Sequence, residues 1–484
     1  MPTPSKLRAF FGLSVFLPGV AVASPWVKPD DNQIRADIAL LAASGTIDDV
    51  TGQWPLSWSA LVPSLRDRRG ALGADLQPAV QRLLDQAHDD TADGFSGSAT
   101  LDLASTPSLV YGFDGMGRGD GQAQLSLAYN GGGTSARLSL GTFTANFTGR
   151  SFKLMPDGSY IAQKLDDDVT VYGGWLSHWW GPGWISALAV SNNARPMPQI
   201  GIQRAGEASS WPVLNLLGPW QAEFFVGLLD DPRFDRNTGY DAVHVSFNPL
   251  PGLEIGLART EEICGQHHPC VPLRDTIDLN NDPAHVNKTN DEGEIDVKWS
   301  HAVYTVPMEF YLSLMNEDSP PVSHSDTSHL FGVAAFVPVG DAPLRLTAEY
   351  TDSVPTTNIF SFGDVSHGVA YNNSSYIDGM RYRGRTLGFS LDSDSTLLSL
   401  QGAWSDEGGR TYELSFHHAA ISNPANLSGN AVTTAPVHIN MAEARVTLPW
   451  RDLKLDLAGR LQDDQLRPAH GFGASVEAAL RVNF

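Results

Sequence analysis

The stretch Gly473-Ala474-Ser475-Val476-Glu477-Ala478-Ala479-Leu480-Arg481-Val482-Asn483-Phe484 alternates without a break. Every even position is apolar, and every odd position is small, polar or charged. Successive side chains of a β-strand point to opposite faces, so the pattern makes one greasy face and one wet face. Val476, Leu480, Val482 and Phe484 share the first, and Glu477 and Arg481 share the second. A strand of this kind that closes on an aromatic residue is the expected last strand of a β-barrel in an outer membrane.

The same period of two starts near Phe95 and persists. Leu125, Leu127 and Tyr129 alternate with Gln124 and Ser126; Ile295, Val297 and Trp299 alternate with Glu294, Asp296 and Lys298; Tyr412, Leu414 and Phe416 alternate with Glu413, Ser415 and His417. Many segments run to about ten residues, the length of a tilted strand crossing a bilayer. Counting them gives about eighteen strands, with an error of roughly two. A soluble sandwich or propeller also alternates, but no repeat of fixed period supports the propeller. No segment offers roughly eighteen uninterrupted apolar residues, so no transmembrane helix is predicted. A membrane protein without one must be a closed barrel, because lipid leaves backbone groups no other partners. The fold class read from the sequence is therefore all-β: a large transmembrane antiparallel β-barrel with a small N-terminal α-helical periplasmic unit. The long polar segments 105–120, 262–293, 353–380 and 419–437 are predicted extracellular loops.

Residues 1–23 read as a signal peptide: Lys6 and Arg8, then an apolar run over 9–22, then Ala21-Val22-Ala23 as a small-residue cleavage pattern. Residues 24–92 read as the helical periplasmic unit. Asp30 or Asp31 can cap a helix carrying Ile34, Ile38 and Leu41, and Ser57 a second carrying Leu61 and Leu65. A third helix, over about 75–87, has Val80, Leu83, Leu84 and Ala87 on one stripe. The unit is too small for a core of its own and is expected to dock on the barrel's periplasmic mouth. Residues 93–484 are the barrel with its loops.

The formal net charge of −22 argues against nucleic acid as a partner and requires a local basic patch for any acidic polysaccharide. Cys264 and Cys270 are the two cysteines of an exported chain, which favours a disulfide-closed loop. His267 and His268 between them offer a metal site as the alternative, on a spacing that fits no known zinc pattern. Asp166-Asp167-Asp168 reads as a solvated turn rather than a calcium site. No metal and no cofactor is expected. There is no Gly-x-Ser-x-Gly elbow, His-Glu-x-x-His, P-loop or dinucleotide fingerprint, so no catalytic set is predicted.

Two concentrations carry candidate binding chemistry. The first holds Trp175, Trp179, Trp180 and Trp184, with Gly181-Pro182-Gly183 as a turn between the last two. Indoles stack on sugar rings and donate an N–H to hydroxyls; they also form the aromatic girdle of a membrane barrel. Asn192, Asn193 and Arg195 follow, as either an Asn-rich turn or a grip on hydroxyls and a carboxylate. The second holds Asn372, Asn373, Tyr376, Arg381, Arg383 and Arg385. If 381–385 is strand, the three arginines share a face and line the lumen, with Glu349 and Glu413 as counter-charges or an anionic ligand in their place.

The strings Gly173-Gly174-Trp175, Trp179-Trp180-Gly181-Pro182-Gly183-Trp184 and Ser191-Asn192-Asn193-Ala194-Arg195-Pro196-Met197-Pro198 resemble the signature of the Wzi capsule-assembly family. So does the block from Asn372 to Arg385, continued by Thr386-Leu387-Gly388-Phe389 and Asp392-Ser393-Asp394-Ser395. A third match lies in Gly239-Tyr240, Val245-Ser246-Phe247-Asn248-Pro249 and Leu253-Glu254-Ile255-Gly256-Leu257-Ala258-Arg259-Thr260. Arg35-Ala36-Asp37-Ile38-Ala39-Leu40-Leu41 and Trp54-Pro55-Leu56-Ser57-Trp58 are similar to the family's N-terminal unit. The resemblance runs from about residue 30 to the end. It implies a blocked outer-membrane barrel of eighteen strands that acts as a lectin, holding capsular or related polysaccharide at the cell surface. The implied partners are that polysaccharide and outer-membrane lipid, the implied state a monomer, and the implied activity non-enzymatic. His178 stands where the family pattern has an arginine, and the Cys264–Cys270 segment looks like an added loop. An outer-membrane diffusion channel for small sugars or other solutes is the second reading, and a hydrolase set in the lumen the third.

Overall fold

The computed structural model describes residues 24–484 except 69–72, 74–75, 146–149, 208–213, 271–288, 318–325, 341, 360, 407, 423–428 and 467–470. The signal-peptide reading of 1–23 lies outside these residues, as do the middle of the 262–293 loop and part of 419–437.

The alternating segments form a closed antiparallel barrel. Gly94–Ala104 pairs with Gly121–Gly131 on one side and with Gly473–Asn483 on the other, and that second pairing closes the cylinder. At the seam the Gly97 N–H donates to the Phe484 carbonyl at 2.6 Å, and the Phe484 N–H donates back to Gly97 at 2.9 Å. A Cβ on Gly97 would strike the Phe484 ring, so the glycine makes room for the terminal aromatic. Closure leaves no unpaired edge to recruit another chain. The barrel has eighteen strands, because two short segments share one position. Arg150–Met155 pairs with one end of Thr134–Ala145 and Tyr160–Lys164 with the other, and Pro156-Asp157-Gly158 interrupts the strand between them.

The two faces sort as the sequence pattern requires. Leu125, Leu127, Leu400, Leu414 and Phe416 stand exposed on the outside, while Glu294, Asp296 and Lys298 are buried inside. This inverts the soluble rule and is the arrangement of a wall between lipid and a polar lumen. One end of the barrel carries tight turns, such as Gly132-Gly133 and Arg451-Asp452. The other end carries the long connections.

Two of those connections, 175–198 and 357–395, fold back into the lumen and plug it. The expected external loop at 353–380 is thus corrected. Its first residues extend the strand Ala342–Thr356. Farther on, Tyr371 is fully buried, its N–H bonded to Glu317 and its hydroxyl to the Leu188 carbonyl of the other connection. Gly388 lies so close to that carbonyl that no Cβ would fit there.

The helical unit has α1 (Asn32–Ala43), α2 (Trp58–Arg68) and α3 (Gln77–Thr91). Asp31 caps α1, accepting from the N–H groups of Gln33 and Ile34 at 2.9 and 3.1 Å. The third helix starts after the predicted position and runs past Ala87. The unit does more than rest on the mouth: its segment 47–57 enters the lumen. Glu254 on the wall accepts the Thr51 and Gly52 N–H groups at 3.0 and 2.8 Å and pairs with Lys298 at 2.8 Å. Trp54 and Gln53 pair as a short ribbon with Trp179 and Trp180 of the plug, respectively.

The plug turn is pinned at Trp184. Buried Glu349 accepts the backbone N–H groups of Trp184, Ile185 and Ser186 at 2.7, 3.2 and 2.7 Å, and the Tyr311 hydroxyl at 2.9 Å. These donors lie in a turn that cannot bond them internally. Arg35 of α1 donates to the Pro182 and Gly183 carbonyls, both at 2.8 Å. The Trp184 ring lies near two guanidinium groups, Arg35 at 4.3 Å and Arg345 at 3.9 Å, and its indole N–H reaches Glu309 at 3.2 Å.

Removing one partner of such a buried charged network costs about 3–5 kcal/mol, because the remaining groups lose their acceptor. Glu349→Ala is therefore expected to loosen 175–198 while the barrel wall survives. Limited proteolysis of the detergent-solubilised protein should then cut within 175–198, where the wild type resists; equal resistance in both would contradict the role given to Glu349.

Candidate functional site

The second candidate block is a hairpin with a buried root. Arg381 and Arg385 pair with Thr386 and Tyr382 across a two-residue turn, Arg383-Gly384. Both turn residues have positive φ, 53° and 80°, as a tight hairpin of this twist demands. Residues 381–385 are thus not one strand, and the expected common face of three arginines is corrected. Each arginine goes its own way, and neither Glu349 nor Glu413 is its counter-charge. Glu349 holds the plug turn, and Glu413 lies 3.8 Å from Arg345.

Arg381 is the root. Its guanidinium makes a two-pronged contact with buried Asp392 at 2.7 and 2.6 Å. It also donates to the Tyr371 and Asp378 carbonyls at 3.0 and 3.1 Å, to Asn372 Oδ1 at 2.9 Å, and to the Gly429 carbonyl. One side chain thereby gathers its own connection and ties it to the one that carries Gly429. Asp392 has a positive φ, and the compact Asp392-Ser393-Asp394-Ser395 run is what lets it face the arginine. The sequence reading quoted that run but gave Asp392 no role. Asn372 is half-buried and donates to Ser393 Oγ at 3.0 Å. Asn373 is half-buried, and its Oδ1 accepts the N–H groups of Ser375 and Tyr376 at 2.7 and 3.1 Å, which shapes the turn.

Tyr376 is buried. Its hydroxyl donates to the Cys264 carbonyl at 3.1 Å, and its ring stacks on His268 at 3.9 Å. Cys264 and Cys270 are joined by a disulfide. The small loop they close presents His267 and His268 to buried Asp235, at 2.8 and 3.3 Å. Among the described residues no group of three His, Cys, Asp or Glu side chains is placed to hold a metal.

Arg383 reaches outward to Asp230 at 2.8 Å, with its guanidinium 4.9 Å from the Tyr382 ring. Arg385 turns into the plug, donating to Asn193 Oδ1 at 3.0 Å and to the Arg118 carbonyl at 3.1 Å. Burial, with the Arg118 charge beside it, pulls the Arg385 guanidinium down to about 10.

The first candidate block is packing. Trp179, Trp180 and Trp184 are buried in the plug, so they form no girdle at the membrane interface. Trp179 donates to the Gly183 carbonyl at 3.0 Å and meets the Phe113 ring edge-on at 5.6 Å. Trp175 is half-buried. Asn192 and Asn193 are also buried: their amides donate to the Phe113 and Thr386 carbonyls at 2.6 and 2.9 Å. Arg195 grips Asp157 at 2.9 and 2.7 Å. His178 is buried against wall residue Glu223 at 3.1 Å and stacks on Phe225 at 4.7 Å.

The block that stays accessible is the loop-end face. Arg383 and Asn373 lie there with exposed Phe234, Phe362, Ile377 and His267. Phe234 stacks on His267 at 4.7 Å, and its N–H donates to Asp378 at 2.6 Å. Sequence reading missed Phe234, Phe362 and Ile377, since a single apolar residue in a polar loop carries no periodic signal.

The family described as "Capsule assembly protein Wzi" matches residues 97–465. An "uncharacterized 55.8 kDa protein in cps region" of Klebsiella pneumoniae is 25% identical over 275 residues, 55% of this chain and 52% of that protein. The match thus spans about half the length of that relative. Among solved structures, Wzi of Escherichia coli is described as an outer membrane protein involved in group 1 capsule assembly and a carbohydrate-binding β-barrel. It aligns with a TM-score of 0.82 over 95% of this chain and 100% of its own, at 18% identity. The closed barrel and the family match over residues 97–465 together show that this chain belongs to the Wzi capsule assembly family.

Proposed function

We propose that the protein is an outer-membrane lectin whose loop-end face binds capsular or related polysaccharide and holds it at the cell surface. The carrying observation is that Tyr371 and Arg385 bond one inward connection to the other, while Arg381 and Asp392 brace the second internally, leaving a rigid outer face instead of a path. Polymer recognition gains from such rigidity, because a face ordered beforehand loses little entropy on binding. Arg383 supplies positive charge for an acidic polymer, Asn373 supplies amide donors, and Phe234 with His267 offers a ring surface for sugar stacking. Asn372 and Trp175 lie at the margin of this face. The buried Trp179, Trp180, Trp184, Asn192, Asn193, Arg195 and Tyr376 serve by holding the face in shape, as do Arg381 and Arg385.

In this reading the turn end and the helical unit face the periplasm, and the long connections face outward, as an even strand number requires. The barrel works as a monomer and does no covalent chemistry. Specific support for the channel reading is limited to a cavity of about 410 Å³ at the turn end, which ends against Arg118 and Asn192 of the plug.

Two outcomes check the proposal. Loss of two polar contacts of about 1 kcal/mol each lowers affinity roughly tenfold or more. Arg383→Ala combined with Asn373→Ala should accordingly release most polysaccharide from intact cells into the medium, with the barrel still assembled; unchanged retention refutes the loop-face assignment. In planar bilayers the wild-type protein should be electrically silent, whereas sustained large openings would support the channel.

A further inference from the structure

The turn-end cavity is lined by several cations, two of which, Lys28 and Arg137, have no ion pair among the described residues. It lies between the start of the helical unit and the wall strands Gly94–Ala104, Gly121–Gly131 and Thr134–Ala145. Most of its carboxylates are engaged by other side chains, several of them on the same lining; Asp456 lies 3.6 Å from Arg445, and Asp102 also lines the cavity. Asp31 takes Lys454 at 2.8 Å, Asp30 takes Arg481 at 3.7 Å, and Asp90 accepts from Trp58 and Gln86, both at 2.9 Å. Asp157 takes Arg195, and Asp114 takes Arg445 at 2.6 Å. Lys28 and Arg137 are different: among the described residues neither has a carboxylate oxygen within 4.0 Å. Arg137 contacts only hydroxyls, Ser98 at 3.1 Å and Ser139 at 3.3 Å. The Lys28 ammonium sits 5.8 Å from the Tyr160 ring centroid. Burial, reinforced by the Arg137 and Arg481 charges, lowers the Lys28 pKa to about 7, so an anion in the cavity would favour its charged form.

The geometry points to a second binding site here, in the lumen and open to the turn end, for a short anionic saccharide such as a uronic acid disaccharide. The volume suits a small ligand rather than a single ion. Lys28 and Arg137 provide for a carboxylate, Ser98, Ser139 and Gln124 provide for hydroxyls, and Tyr160 provides a ring face. The site is separate from the loop-end face and stands or falls independently of it.

The test uses the full chain in detergent micelles, titrated calorimetrically with digalacturonate and, separately, with neutral maltose. To exclude the loop face, both sugars are also titrated against the protein carrying Arg383→Ala and Asn373→Ala. Digalacturonate should still bind that background, and maltose should not; the cavity variants are made in the same background. Lys28→Gln with Arg137→Gln should weaken the binding by about tenfold or more. Thr100→Trp, which places bulk in the cavity at a lining residue that bonds neither Lys28 nor Arg137, should abolish it. Heat-modifiable migration on gels confirms that each variant is a folded barrel. The site is overturned if the loop-face background binds no digalacturonate at millimolar concentration, if maltose binds it equally well, or if either cavity variant binds as that background does.

Discussion

The inward face of this barrel must find partners without water's freedom. Alternation places every second residue of each strand inside, and here many of those residues are charged: Glu254, Glu294, Asp296, Lys298, Glu309, Arg345 and Glu349 are all buried. A buried charge without a partner is unaffordable in stability terms, so the lumen must hold groups that answer the wall. The plug does that with backbone as much as with side chains. Glu349 holds three N–H groups of one turn, Glu254 holds two of the N-terminal segment, and Glu294 accepts the Ala189 N–H at 3.1 Å. Wall and plug therefore specify each other, and neither would keep its shape alone.

How much of this was legible follows from the same division. The wall was legible because its signal is local: a period of two, read over about ten residues, fixes which side chains face lipid. Tyr412, Leu414 and Phe416 were placed outward by that pattern and are exposed. The plug was not legible because its signal is long-range. Nothing in Trp179-Trp180 announces a pairing with Trp54 and Gln53, and nothing near Glu349 names a turn some 160 positions earlier. The tryptophans drew attention by density, but density cannot tell a girdle from a core. The three arginines misled for a related reason. Period-two reasoning assumed a strand, whereas Arg383-Gly384 turns through positive φ and sends the arginines to three different places.

This difference between the arginines also separates building from binding. Arg381, Arg195 and Arg35 are enclosed by acceptors at ordinary hydrogen-bond distances and hold segments together. Arg383 sits on a turn at the outer face, against a half-exposed aspartate, where exchange of one anion for another costs less. The Cys264–Cys270 loop adds to the same face, since Tyr376 and the paired histidines lock it over Asp235. A face assembled from three connections with buried roots keeps its spacing while a long polymer moves across it.

Net charge then restricts where an acidic ligand can be met at all. A chain of formal charge −22 repels polyanions from most of its surface, and its internal acids outnumber its bases. Almost every cation in the lumen is consequently taken. Arg35, Arg118 and Arg385 are held by carbonyl and amide oxygens, and those held neither that way nor by an internal carboxylate, or held only at an exposed edge, carry the information about anionic ligands. By that criterion the molecule offers two places on opposite ends of one plug, the Arg383 edge and the pair Lys28 and Arg137. Because the plug between them is fixed by Glu349 and Arg381, occupancy of one end has no sliding element through which to reach the other, and the two should bind without influencing each other.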